Sequence, residues 1–328
     1  MWPKSRKSHP KPFHKLLGNK TLFQQTLERN SDPDIYANPL IVAGSAHVEL
    51  IKAQTRDLAP GSLIVEPSAR NTAPAIALAA ARLDPDQIML VCPSDHFIAD
   101  RAAFENAVRA AANLAAKDWL VSLAITPDRP EVGYGYIKRG EKLEAGFKVE
   151  RFVEKPELET AIAFLADGGY SWNGGIFAFR AGAMIDELAR YRPEMAQHVT
   201  EAVESGTVEG VHFNPDAEAF NRISGESIDY AVMENTSRAA MVPATMGWSD
   251  IGNWAGLQDV VEKDASKNHS VGSTDLIDCE HVLVRTDGPR VSALGLKDVC
   301  IVVDGDEVLV TSREGASHVG KLKGARDQ

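Results

Sequence analysis

The 328-residue sequence predicts an α/β protein with a Rossmann-like, mixed and mainly parallel sheet, followed by a small C-terminal β domain. Between residues 38 and 125, short apolar runs bounded by turn residues alternate with helical patterns, as in successive βαβ units. From about residue 270 the texture changes to short β runs broken by Asp-Gly or Gly, with no helical stretch between them. The length suffices for one large domain and a smaller one, and the expected division is 1–265 and 266–328.

Taken in order, "NPLIVAG" (38–44) and "GSLIVEP" (61–67) read as buried strands. The alanine-rich "NTAPAIALAAARL" (71–83) follows as a helix, with Asn71 or Thr72 as its cap and Pro74 in its first turn. "DQIMLVCPSDH" (86–96) is a strand running into a loop, residues 102–118 the next helix, and "WLVSLAI" (119–125) the next strand. Beyond residue 130 two hairpin-like strands surround "GYGYI" and "FKVERFVEKP". A helix over 158–166, the strand "GGIFAFRA" and helices to about Arg238 follow.

A net charge of -11 argues against a nucleic-acid surface, which needs clustered cations, and no such partner is expected. No apolar run approaches the roughly 18 residues of a membrane span, so the expectation is a cytoplasmic protein with no membrane partner. Cys92, Cys279 and Cys300 have no CxxC spacing and read as reduced, buried small hydrophobes. Against this acidic background the opening "MWPKSRKSHPKPFHKL" carries Lys4, Arg6, Lys7, Lys11 and Lys15 with no acid. A local basic strip of this kind suits a small anionic ligand.

In open parallel sheets ligands sit at the carboxyl ends of strands, and several polar strings fall at such ends. In "VEPSARNTAPA", Arg70, Asn71 and Thr72 lie between a strand and a helix N-terminus. They suit an anion or a base edge, or equally a capped helix whose Arg70 pairs with Glu66. In "VCPSDHF", Asp95 follows an apolar strand, where a hard divalent cation would bridge it to phosphate, although strand-ending Asp residues commonly serve turns. Gly133 and Gly135 in "EVGYGYI" allow close approach of a flat ligand or relieve a strand bend. Glu154 and Lys155 of "RFVEKPE" are expected on opposite faces of a strand. Asn173 of "YSWNGGIF" offers a donor and an acceptor, and Asp250 of "GWSDIGNW" a second distant carboxylate. Trp172, Trp248 and Trp254 read as core.

The ordered strings "EPSARNTAPAIALAA", "CPSDH", "GYGYI", "FVEKP", "WNGGIF", "SIDYAVME" and "GWSDIGNW" resemble the mannose-1-phosphate guanylyltransferases of the sugar-nucleotide transferase superfamily, from about residue 2 to 260. The β-rich tail resembles their left-handed β-helix-like domain. The resemblance implies transfer of GMP from GTP to mannose 1-phosphate with Mg2+, by in-line attack without a covalent enzyme intermediate. It implies Lys11, Arg6 and Asp95 as catalytic residues, with Asp95 and Asp250 on the metal. It also implies Arg70, Asn71, Thr72 and Ser94 at the nucleotide, and Gly133, Gly135, Glu154, Lys155 and Asn173 at the sugar. A homodimer is expected. In the family a strand and a GGxGTR loop precede the Trp-Pro, so the expectation here is a start upstream of Trp2-Pro3, with the basic strip as the back half of a triphosphate cradle. No cupin-like isomerase domain follows, and isomerase activity is not expected.

Two other classes compete. A regulatory subunit would keep the sugar-nucleotide pocket without turnover, and a relative could serve another base or sugar. A dinucleotide-dependent oxidoreductase would need a glycine fingerprint after its first strand, which is absent.

Overall fold

A computed structural model describes residues 1–55 and 58–326. Two compact units emerge: Arg29–Pro93 with Ile98–Trp248, and Met1–Glu28 with Ser94–Phe97 and Ser249–Gln328.

In the larger unit, strands β1 (Ile41–Gly44), β2 (Leu63–Glu66) and β3 (Ile88–Val91) alternate with helices, among them α1 (Thr72–Ala80) and α2 (Arg101–Ala115). The expected Asn71 cap forms, accepting from Thr72 N, and Asp100 caps α2 by accepting from Ala103 N. Then come β4 (Leu120–Ile125), β5 (Tyr136–Lys142), β6 (Phe147–Val153), α3 (Leu158–Asp167) and the long β7 (Tyr170–Arg180). Helices α4 (Ala181–Tyr191) and α5 (Pro193–Glu204) precede the short pair β8 (Thr207–Glu209) and β9 (His212–Asn214), and β10 (Ala239–Ala244) comes last.

The expectation of a mainly parallel sheet is corrected. The strands form two sheets, of order β1-β2-β9-β8 and β3-β7-β4-β10-β6-β5. In the larger one, β4–β10 is the single parallel pairing among the described residues. The cause is β7, which runs antiparallel between β3 and β4 and so keeps successive strands from pairing directly. One core packs α1, α4 and α5 with Met89, Phe177 and Phe179, and another packs α2 with Val121, Trp172 and Val242.

The smaller unit does not follow a division at residue 265, because it joins the two ends of the sequence. Trp2, Leu16 and Leu22 share one core with Trp254, Leu257, Leu283, Val302 and Leu309. The buried Trp254 indole donates to Trp2 O at 2.7 Å, and Arg285 donates to the carbonyls of Leu16 (2.8 Å) and Lys15 (3.2 Å). Its β region stacks β11 (His269–Val271), β13 (Leu283–Thr286) and β15 (Val299–Asp304) in parallel register, with β12 (Thr274–Ile277) parallel to β14 (Val291–Leu294). A two-residue turn with Gly305 at φ 59° then leads into the antiparallel β16 (Glu307–Ser312). Cys279 and Cys300 are buried as expected, whereas Cys92 is only half-buried.

Candidate active site

Gly135, Glu154 and Asn173 meet in the larger unit. Gly135 O accepts from Asn173 N at 2.8 Å, and a Cβ on Gly135 would lie 2.5 Å from Glu154 Oε2 and 3.4 Å from Asn173 Cβ. Any side chain at position 135 would force the end of that carboxylate aside. Gly133 lies in the exposed turn just before, its amide donating to Glu131 Oε1 at 3.0 Å. Tyr136 is fully buried, and Tyr134 packs edge-on against Trp172 and Trp248. Trp172 and Trp254 are core, as expected, and Trp248 is half-buried.

Glu154 and Lys155 do not point to opposite faces. The strand ends at Val153, Lys155 sits at φ 46°, and its ammonium folds back to 2.8 Å from Glu154 Oε1. Leaving the strand removes the alternation on which that expectation rested.

A bulge aims Asn173. Between Ser122 and Ala124 of β4 the partner on β7 moves from Phe177 to Asn173, so β7 carries extra residues around Gly174 and Gly175. Asn173 Oδ1 accepts from Ser122 Oγ (2.7 Å) and Gly175 N (3.2 Å), while Nδ2 donates to Asp229 Oδ1 at 2.8 Å. Asp229, in a π-helical turn over Asp229–Met233, was not singled out in the sequence. The available signal is the lone acid in "IDYAVM", between Ile228 and Tyr230. Burial, and then the charge of Glu154, push its carboxyl up to about 6. Burial raises Glu234 as well.

The segment holding Arg70, Asn71 and Thr72 is clamped to the loop just before Asp229. Arg70 Nη2 donates to Asn221 O (2.8 Å), Thr72 Oγ1 accepts from Ile228 N (2.9 Å), and Ala73 N donates to Glu226 O (3.1 Å). An Arg70–Glu66 pair does not form. Glu66 Oε1 is buried without a hydrogen-bond partner, and burial pushes that carboxyl up to about 7.

In the smaller unit Lys11 is the hub. It lies in the short turn Lys11–Phe13, 2.7 Å from Asp95 Oδ2, and donates to the Asp250 carbonyl. Asp250 Oδ1 accepts from Gly252 N at 3.1 Å, and the fully buried Ile251 is held at φ 46°, which β-branched residues avoid. Ser94 immediately precedes Asp95 and is half-buried. Arg6 makes its contacts elsewhere: with Lys4 it faces Asp304, at 3.5 and 3.1 Å, and it donates to Pro3 O. Among the described residues no cluster of three or more His, Cys, Asp or Glu could enclose a metal. One carboxylate, that of Asp95, lies against the Lys11 ammonium, while Asp250 meets it through its backbone carbonyl; a magnesium ion takes one or two protein carboxylates and completes its shell with phosphate and water. The Lys11 ammonium already stands at Asp95 as a cation would.

Residues 1–267 match the family model described as nucleotidyl transferase. The alginate biosynthesis protein AlgA of Pseudomonas aeruginosa is 39% identical over 327 residues, covering 97% of this chain and 68% of that protein. The mannose-1-phosphate guanylyltransferase of Escherichia coli K12 is 40% identical over 335 residues, covering 98% and 70%. A solved structure described as a mannose-1-phosphate geranyltransferase from Thermus thermophilus superposes with a TM-score of 0.89 at 30% identity, covering 100% of this chain and 96% of that one.

Proposed function

The chain belongs to the nucleotidyl transferase family, and on that footing we propose that it transfers GMP from GTP to mannose 1-phosphate, yielding GDP-mannose and pyrophosphate. The observation that carries this reading is the meeting of Gly135, Glu154 and Asn173. A backbone without a side chain, a carboxylate and a locked amide form a place for a flat, hydroxyl-rich ring, as the names of the relatives would require.

In the proposed reaction an oxygen of the sugar phosphate attacks the α-phosphorus of GTP, one P–O bond forms, and the bond to the β-phosphate bridging oxygen breaks. The attacking phosphate is already anionic, so no protein nucleophile is needed and the protein's task is positioning and charge neutralisation. Lys11, freed from Asp95, meets phosphate oxygens, and Lys155, freed from Glu154, turns to the sugar phosphate. Asp95 and Asp250 would hold a magnesium ion, which would supply charge neutralisation at the triphosphate. Arg70, Asn71, Thr72 and Ser94 border the nucleotide. Arg6, committed to Asp304, supports the basic strip instead of touching phosphate. The stacked strands β11 to β15 read as a left-handed β-helix-like domain, supported by their parallel register.

Incubation with GTP, mannose 1-phosphate and magnesium is expected to release pyrophosphate, and chelation by EDTA to stop the release. No pyrophosphate with any pairing of nucleoside triphosphate and hexose 1-phosphate would overturn the reading.

A further inference from the structure

Asn173 looks, from its side chain alone, able both to give and to accept hydrogen bonds. Its surroundings remove that freedom. Two donors, the Ser122 hydroxyl and the Gly175 amide, converge on Oδ1 and settle which end of the amide is oxygen. Ser122 is fully buried, so this donor has no route to solvent. One N–H is given to Asp229, leaving a single N–H for a ligand. A hexose hydroxyl that must donate therefore finds its acceptors among the carboxylates, not at Asn173.

We propose that Asp229 is a sugar-reading residue: it fixes the Asn173 amide through one oxygen and accepts a hydroxyl of the bound hexose through the other, beside the hydroxyl taken by Glu154. This rests on the function proposed above and names a further residue of that site. Glu154 Oε2 lies over the Gly135 backbone, whose carbonyl accepts from the Asn173 main-chain N–H, while the Asn173 side chain donates to Asp229, and the charge of Glu154 is felt at Asp229. The groups facing Asp229 are Glu154, Lys155 and Glu234, three acids with one ammonium once Asp229 is counted. Neutral hydroxyl donors relieve such crowding, whereas a second anion would not. The segment is anchored for the purpose, because Ile228 N donates to Thr72 Oγ1 at the start of α1.

The test compares binding of GDP-mannose with binding of GDP by calorimetry, in the wild type and in Asp229→Asn. The affinity added by the mannosyl group is expected to fall roughly tenfold in Asp229→Asn, as for one charged hydrogen bond lost, with GDP affinity unchanged within about twofold. In the wild type that increment should shrink as pH drops below about 6, where the carboxyl takes a proton, and in Asp229→Asn it should not. A purely structural Asp229 would lower GDP and GDP-mannose binding together and leave the pH profile unchanged. Either that result or an unaltered increment would overturn the proposal. Turnover is not part of this readout, so an inactive wild type that still discriminates the mannosyl group would sink the catalytic reading and leave this one standing.

Discussion

Lys11 holds two distant pieces of sequence by one ammonium, the Asp95 carboxylate and the Asp250 carbonyl. Replacing it with Met removes a charge that meets phosphate in the proposed reaction, and kcat/KM for GTP is expected to fall about a hundredfold, in the range of a lost charge-assisted contact. Because Asp95 keeps 30% of its side chain in water, thermal stability should change little, which differential scanning calorimetry would check. Glu66 predicts the opposite balance. Its folded carboxyl, near 7, lies above the ordinary 4.5, so the folded protein holds that proton more tightly. The associated stability is whole below about 4.5 and is lost as pH rises through about 7. Glu66→Gln escapes the loss, so its advantage over wild type in urea melts should grow by about 1 to 2 kcal/mol between pH 5 and 8, allowing for partial exposure. Neither role is visible in sequence alone. "EPSAR" suggested a Glu–Arg pair, yet the Asn221 carbonyl 151 positions away takes Arg70 instead.

At the scale of elements, the alternation of strand and helix from residue 38 to 125 was legible because apolar periodicity and caps are local. Asn71 and Pro74 stand where such signals predict. What periodicity cannot report is which strands pair. β7 settles that by running between β3 and β4, and its bulge, marked in sequence only by "NGG", then aims Asn173. The hairpin β8–β9, with three residues in each strand, is too short to carry a period and was missed. Two glycines give separable predictions at this scale. Gly135→Ala places a methyl against Glu154 Oε2, so KM for mannose 1-phosphate should rise tenfold or more, by roughly the size of one hydrogen bond lost, with little change in melting. Gly272→Ala, at φ 93° with its Cβ driven into Thr286 O, strains the β11–β13 stack. It should cost about 2 kcal/mol or more in urea unfolding.

Over the whole molecule, the basic strip belongs with the C-terminal strands and not with the βαβ region that follows it in sequence. A division at residue 265 was natural because texture changes there, but Trp2 and Leu16 find their apolar partners some 250 to 300 positions on, a pairing no window of sequence displays. Arg285 ties the strip down at the carbonyls of Lys15 and Leu16, four and five residues past Lys11. Arg285→Met should therefore weaken GTP turnover roughly tenfold, by loosening the Lys11 segment, while the GDP-to-GDP-mannose affinity increment is retained, as paired kinetics and calorimetry would show. The same arrangement sets a schedule for the nascent chain. Trp2 and Leu16 leave the ribosome some 250 to 300 residues ahead of the strands that shelter them, a wait of roughly 15 to 60 s at ordinary elongation rates. Throughout that interval an uncovered indole and its leucine neighbours travel in company with a row of lysines, a form of exposure that trigger-type holdases are suited to shield.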